Sequence, residues 1–417
     1  MKDFERLLKL QLTERYYTIR ELRYGKEPGT FLSGHESNLF QEFKRSAAEK
    51  GNPNLIPVEL KSWNSAPLFY ASASQLMGLK NELFSFLLED WAENNASFLS
   101  FRDSDEITKS RIYSEIEGSL SIEAIPTTRK RLAELIKGTK KPENRNDIII
   151  TNMGHAIDFV TKKPSFTPEN LFKLYQILTE GCLEEDNKLA PGDYYRNGEV
   201  EVDDYSGCPA EKINECMDSL FAFVDAHLHS SKHDYMLPHI CHYYLLYVHP
   251  YFDYNGRTAR MVSLWISLLS GGVVFPSVIS EAIDQRKNHY YSALRETRNS
   301  GNDLTYFLIF IYSAAIDYAM AYANLDHIEK ELLLKGIRWT EAERTYLKKL
   351  LISSDRPFSF REFQTMVKVE MTRQGALKVL NQLESYGLLV SEVREKTKYF
   401  EINRKALIYL PKNLRKN

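Results

Sequence analysis

Apolar positions recur at helical spacing through most of this chain, and the interruptions are short. From Ile240 to Val248 almost every residue is apolar or aromatic, and from Met261 to Leu269 bulky apolar residues alternate with serine. Both runs predict buried helices. Asn255-Gly256 between them predicts a turn, with Arg257, Thr258 and Ala259 opening the second helix. Upstream, Thr167-Pro168 followed by helical spacing to Leu178 predicts a helix with a capping threonine and proline in its first turn. Pro191 to Val202, with Asn197-Gly198 and the Glu-Val alternation after it, predicts a short β-hairpin. A long helical stretch begins near Leu304 and stops at Gly336. Beyond it, Thr340–Leu351, Ser359–Val367 and Thr372–Tyr386 read as three helices, and the strands flanking the charged turn at Arg394 read as a hairpin. Residues 1–100 hold an early charged helix, a proline-punctuated stretch around Asn52-Pro53-Asn54, Pro57 and Pro67, and a helix from Ser74 to Glu93. The pattern predicts a mainly α protein.

The loop between the two buried runs, His249-Pro-Tyr-Phe-Asp253-Tyr254-Asn255-Gly256-Arg257-Thr-Ala-Arg260, concentrates chemistry. His249 is its one group that titrates near neutrality, which suits a base acting on a hydroxyl. Asp253 offers hard oxygen ligands for a Mg²⁺ that bridges phosphates. Arg257 and Arg260 lie three apart in the first turn of a helix, whose free N–H groups and positive dipole end favour an anion, phosphate above all. Together they describe phosphoryl or nucleotidyl transfer. A loop that merely caps two helices is the plainer alternative for any one residue, less so for the set.

The loop resembles the motif of the Fic family, His-Pro-Phe-x-Asp/Glu-Gly-Asn-Gly-Arg-x-x-Arg. That resemblance implies a Fic-type helical bundle with a small β-hairpin flap and transfer of AMP from ATP, with Mg²⁺, to a Ser, Thr or Tyr hydroxyl of a target protein. It implies His249 as base, Asp253 as metal ligand, and Tyr254, Asn255, Gly256, Arg257 and Arg260 around the phosphates. Tyr251 stands where Phe is usual, and Tyr254 stands where a small residue lets backbone approach a phosphate. Gly198, Glu199, Val200, Glu201 and Val202 resemble the flap that aligns the target by strand addition. Ser119-Leu-Ser-Ile-Glu123-Ala124 resembles the family's inhibitory helix, here near 110–124, whose glutamate pairs with the second motif arginine. Ala124 replaces Gly or Asn, and Glu117-Gly118 provides an alternate register. With the glutamate engaged, family members also remove AMP.

Charge separates the C-terminal region. The 417-residue chain has a net charge of −2, yet residues 338–417 contain 17 Lys+Arg against 9 Asp+Glu, a net of +8. With three helices and a hairpin, this region resembles a winged helix-turn-helix, which would place Thr372, Arg373, Gln374 and Lys378 toward DNA and Arg394, Lys396 and Lys398 on the wing. A winged helix used for protein contacts is the alternative, and homodimerisation stays open. The expected organisation is an N-terminal helical region at 1–105, a Fic-like catalytic domain at 106–335 and the winged-helix-like domain at 338–417. A DNA-binding regulator with a nucleotide-sensing or scaffold core competes with the enzyme. Four cysteines without CxxC spacing suggest neither a disulfide framework nor zinc, and His239 and His242 read as core histidines. No apolar run is expected to span a membrane, and the reducing cytoplasm is the expected compartment.

Overall fold

The computed structural model describes residues 3–25, 31–64, 66–94, 106–202, 205–230, 235–270, 279–354, 356–367 and 372–410. The chain divides into two compact units, Met1–Ser313 and Ala314–Asn417. The expected boundary at residue 105 lies outside the described residues.

The first unit opens with α1 (Phe4–Thr13), α2 (Ile19–Tyr24) and α3 (Gly34–Glu49), a two-stranded antiparallel sheet of β1 (Leu55–Val58) and β2 (Leu68–Ala71), and α4 (Ser74–Asn94). The sheet was not expected. Pro57 sits in β1 opposite Phe69, and a two-stranded ladder leaves proline's missing donor facing outward. Leu7, Leu8, Tyr16, Leu22, Phe40, Leu55 and Phe69 form one core cluster. At its floor the fully buried Lys44 ammonium lies 2.6 Å from Asp303 and faces the rings of Tyr16, Phe40 and Tyr306. Asp303 also accepts the Tyr16 hydroxyl at 2.6 Å, so this pair ties the N-terminal helices to the segment that leads into the last helix of the unit.

The remaining helices are α5 (Glu106–Ile122), α6 (Arg129–Ile136), α7 (Arg145–Thr161), α8 (Pro168–Thr179), α9 (Ile213–Leu228), α10 (Leu237–Val248), α11 (Asn255–Leu269), α12 (Ile279–Gln285), α13 (Lys287–Asn299) and α14 (Thr305–Leu334). Thr167 caps α8 by accepting the Asn170 N–H at 3.3 Å, with Pro168 in the first turn as its sequence requires. Helices α10 and α11 pack on one another and are buried on nearly every face, α11 carrying Arg257, Arg260, Ser263 and Ser267 inside along with its apolar residues. Helix α5 packs against α12, α6 and α7. By length and composition α14 could cross a bilayer, contrary to expectation, but 78% of its apolar window is buried inside the protein. That is the pattern of a core helix.

The flap departs from its expected position. Its ladder pairs β3 (Glu201–Val202) with β4 (Tyr205–Ser206), so Gly198, Glu199 and Val200 precede the strands and Asn197-Gly198 is not the hairpin turn. At Gly198 the carbonyl is taken by the buried Arg196 guanidinium, while the Val200 carbonyl still accepts the Gly207 N–H at 3.0 Å just beyond the ladder.

The second unit takes α14 from Ala314 onward and adds α15 (Glu341–Ser353), β5 (Phe358–Ser359), α16 (Phe360–Val367), α17 (Arg373–Ser385), β6 (Leu389–Arg394) and β7 (Thr397–Ile402), with antiparallel sheet order β5-β7-β6. Thr340 and Glu343 form a reciprocal capping box on α15. Glu395 and Lys396 both take positive φ, the conformation a tight two-residue hairpin needs. Leu347, Leu350, Phe358, Phe363, Leu380 and Phe400 fill the core between helices and sheet.

Candidate active site

Helix α10 ends at His249, which adopts a left-handed backbone (φ 55°, ψ 62°) while its N–H still reaches the Leu245 carbonyl at 2.9 Å. Tyr254 is the second left-handed residue (φ 67°), and α11 begins directly after it. Asn255-Gly256 is therefore the first turn of the helix and not the loop turn expected. The Asn255 carboxamide explains the difference. Its oxygen accepts the Tyr251 N–H at 3.0 Å and its nitrogen donates to the Tyr251 carbonyl at 2.8 Å, folding the loop onto the helix end. A Cβ at Gly256 would lie 2.9 Å from the Glu123 carboxylate and 3.2 Å from the Arg260 guanidinium, so a larger residue there would push on the ends of that ion pair.

Burial removes water from the His249 imidazole and draws its pKa down to about 4, with Arg196 adding to the shift while a backbone hydrogen bond at Leu246 and Asp253 oppose it. The ring is thus neutral at physiological pH, the form a base must have. Asp253 is 41% exposed at its side chain, and one of its oxygens accepts the Tyr254 N–H at 2.6 Å. Its other oxygen makes no hydrogen bond among the described residues and suits Mg²⁺, which binds through one or two carboxylates together with substrate phosphates and water. Among the described residues no group of three or more His, Cys, Asp or Glu could hold a metal ion, so a metal here would need oxygens from the substrate.

Arg257 is only 7% exposed, and its Nε and Nη1 are buried without a hydrogen-bond partner. One face of its guanidinium lies 3.3 Å from the Tyr254 ring centroid, and Asp253 is 3.9 Å away. Tyr254 therefore turns inward, with 3% of its surface exposed, and its N–H is already taken by Asp253. Arg260, also buried, is fully engaged: it donates to the Ser119 hydroxyl at 2.9 Å, to the Ser119 carbonyl at 3.3 Å and to Glu123 at 2.7 Å. Burial alone would raise the Glu123 pKa, but Arg260 outweighs it, with Arg257 and Lys287 adding, and holds the carboxyl below its ordinary value. Glu117, the alternate, instead pairs with Arg129 at 2.6 Å.

Helix α5 is seated on α12. A Cβ at Gly118 would come within 2.4 Å of the Glu281 backbone nitrogen, so only glycine permits this approach. Glu115 accepts the Ser280 N–H at 3.0 Å, Ser121 donates to Asp284 at 2.7 Å, and Lys287 donates to the Ile122 carbonyl. Burial lifts the Glu115 pKa to about 7 against the Ser280 hydrogen bonds. Ala124, at φ 56°, closes the helix end. Its N–H bonds to the Ser121 carbonyl at 3.0 Å and the Ile125 N–H to Leu120 at 2.9 Å, which is a Schellman motif and accounts for the Gly or Asn expected there.

Residue patterns missed several contributors. Arg196, Glu115 and Gly207 had no local signature, because their partners lie far away in sequence. Tyr175 stacks on Tyr251 with centroids 3.8 Å apart, yet it falls on the buried stripe of α8 and reads as core. In the second unit Thr372 caps α17 by accepting the Gly375 N–H at 3.3 Å, while Arg373, Gln374 and Lys378 lie exposed along the same helix. Arg394 pairs with Glu392, and Lys398 with Glu384 at 2.6 Å.

With this geometry in hand, known proteins are informative. Residues 165–267, which span α8, the flap, α10 and most of α11, match the model of the Fic/DOC family. The chain carries a Fic domain. A protein adenylyltransferase Fic from Nematostella vectensis is 29% identical over 117 residues, a match covering 28% of this chain and 26% of that protein's length. Among solved structures, a Fic family protein from Desulfovibrio desulfuricans G20 is similar at 17% identity and TM-score 0.49, over 80% of this chain and 98% of that one. Fic-1 from C. elegans is similar at 16% identity and TM-score 0.46, over 76% and 83%.

Proposed function

We propose that the Fic domain is a protein adenylyltransferase that moves AMP from ATP to a Ser, Thr or Tyr hydroxyl of a target protein, and that α5 restrains it through Glu123. The observation that carries this reading is Arg257. A buried guanidinium with two unpartnered N–H groups at a helix N-terminus is costly unless an anion joins it. Beside it, Arg260 already holds a carboxylate where a second phosphate would compete. In the proposed step the target oxygen attacks the α-phosphorus, its proton passes to neutral His249, and the bond to the β-phosphate oxygen breaks to release pyrophosphate. Mg²⁺ held by Asp253 would neutralise charge on the phosphates. In the reverse direction, water attacking the phosphorus of the AMP–target ester would break its bond to the target oxygen and release AMP, the target hydroxyl regaining a proton.

The test is transfer of α-labelled ATP in Mg²⁺ by the wild-type chain, Glu123→Gly, and Glu123→Gly with His249→Ala. Label on protein with the single change, lost in the double, is expected. An unlabelled Glu123→Gly that still binds ATP would favour a nucleotide sensor instead.

A second reading concerns the C-terminal unit. Arg373, Gln374 and Lys378 are exposed on one helix of a basic region, which supports contact with duplex DNA. Anisotropy titration of a DNA duplex with the full chain, with and without Arg373→Ala and Lys378→Ala, tests it, and salt-independent binding would count against it.

A further inference from the structure

Arg196 is 2% exposed and donates to three backbone carbonyls from three separate segments: His249 in the motif loop at 2.8 Å, Gly198 in the flap approach, and Cys208 after β4. Its own N–H reaches the Pro250 carbonyl at 2.9 Å. The stretch after β4 is held to the same place from the other side. The Cys208 N–H bonds to the Val248 carbonyl at 3.3 Å, and the Tyr205 hydroxyl to Leu246 at 2.7 Å. Gly207 lies so close that a Cβ there would be 3.0 Å from Arg196 Nη2, 2.9 Å from Val200 and 3.6 Å from the His249 Cβ. His249 itself sits in a left-handed conformation that strains a non-glycine residue, so something must hold it.

We propose that Arg196 is a positioning residue that locks the His249 backbone and the flap into one rigid assembly, so that the surface receiving the target hydroxyl and the base that takes its proton keep a fixed separation. The chemistry requires a guanidinium. Three carbonyls in three directions match its planar array of donors, whereas an ammonium on a flexible stem cannot reach all three at once. Arg196 touches no reacting atom in this scheme and acts through His249. This inference rests on the adenylyltransferase reading for its kinetic arm, and has a second arm that does not.

In the kinetic arm, Arg196→Lys is placed in the Glu123→Gly background and AMP transfer is measured. A misplacement of about an ångström in a reacting group costs on the order of 100-fold in rate. The expected result is therefore a fall of 10- to 100-fold in kcat, with KM for ATP changed by less than about twofold, because the phosphate-binding groups on α11 are untouched. In the second arm, the full chain with and without Arg196→Lys is labelled in its histidine rings and the His249 resonance followed by NMR. A shifted or exchange-broadened His249 signal, with the buried His239 and His242 signals unchanged, is expected. Unchanged kcat with an unchanged His249 signal would overturn the proposal. So would a joint loss of kcat, ATP binding and thermal stability, which would mark Arg196 as a general fold residue. If Glu123→Gly transfers no AMP at all, the adenylyltransferase reading fails on its own, and the His249 signal still decides the role of Arg196.

Discussion

Ala124 allows a prediction in which the sign is worked from backbone geometry alone. It occupies the left-handed position of the Schellman motif that ends α5, one residue after Glu123. A Cβ in that conformation costs roughly 1–2 kcal/mol, whereas glycine carries no such strain but gives the unfolded chain more freedom, worth about 0.4–1 kcal/mol. The difference favours Ala124→Gly by about 0.5–1 kcal/mol. No compensating contact is lost, because the substitution removes a single methyl and keeps the Ala124 N–H bond to Ser121 and the Ile125 N–H bond to Leu120. In a chain of this size the shift in midpoint would be about 1–3 °C upward, read by differential scanning calorimetry as the transition of the first unit. Amide hydrogen exchange gives the local measurement: protection at residues 124 and 125 should rise by about two- to fivefold, the equivalent of the same free energy. A lower midpoint, or faster exchange at those amides, would refute the capping account, since the one opposing effect, glycine's freedom in the unfolded chain, is smaller than the strain relieved.

Other outcomes follow from the burial of individual groups. Because burial lowers the pKa of His249 to about 4 and of His239 to about 3, against an unfolded value near 6.5, the unfolded chain binds these protons first as pH falls; stability should decline from about pH 6.5 toward pH 4, offset in part by Glu115, whose carboxyl is lifted to about 7 and takes up its proton first in the folded chain, as urea midpoints at a series of pH values would show. By the same shift, AMP transfer by Glu123→Gly should keep its rate down to about pH 5, and an acid limb centred near 6.5 would contradict a buried neutral base. Lys44→Met leaves Asp303 charged and buried without its cation, so chemical denaturation should reveal a loss of about 3–5 kcal/mol; a loss below about 1 kcal/mol would mean that the network repacks. Tyr251→Phe removes a hydroxyl that is fully buried and unpartnered, and should leave stability unchanged or higher by about 1 kcal/mol in the same assay.

Much of the motif was legible from residues in order. Helices α8, α10, α11, α15 and α17 were readable because capping residues and apolar periodicity act over a few neighbouring positions, and the base, carboxylate and arginines of residues 249–260 announce themselves by residue type and spacing. The long apolar α14 was underrated, since local composition cannot separate a core helix from a bilayer span; only the surrounding packing does that. Folding decided the rest, and for one physical reason: the deciding contacts join residues that are remote along the chain. Glu123 rather than Glu117 meets Arg260 because Gly118 lets α5 press onto α12, a contact across more than 160 positions. The approach to the flap is tied to the motif loop because Arg196 donates to carbonyls up to 53 positions away. Such choices depend on which surfaces meet after collapse, and periodicity carries no information about them.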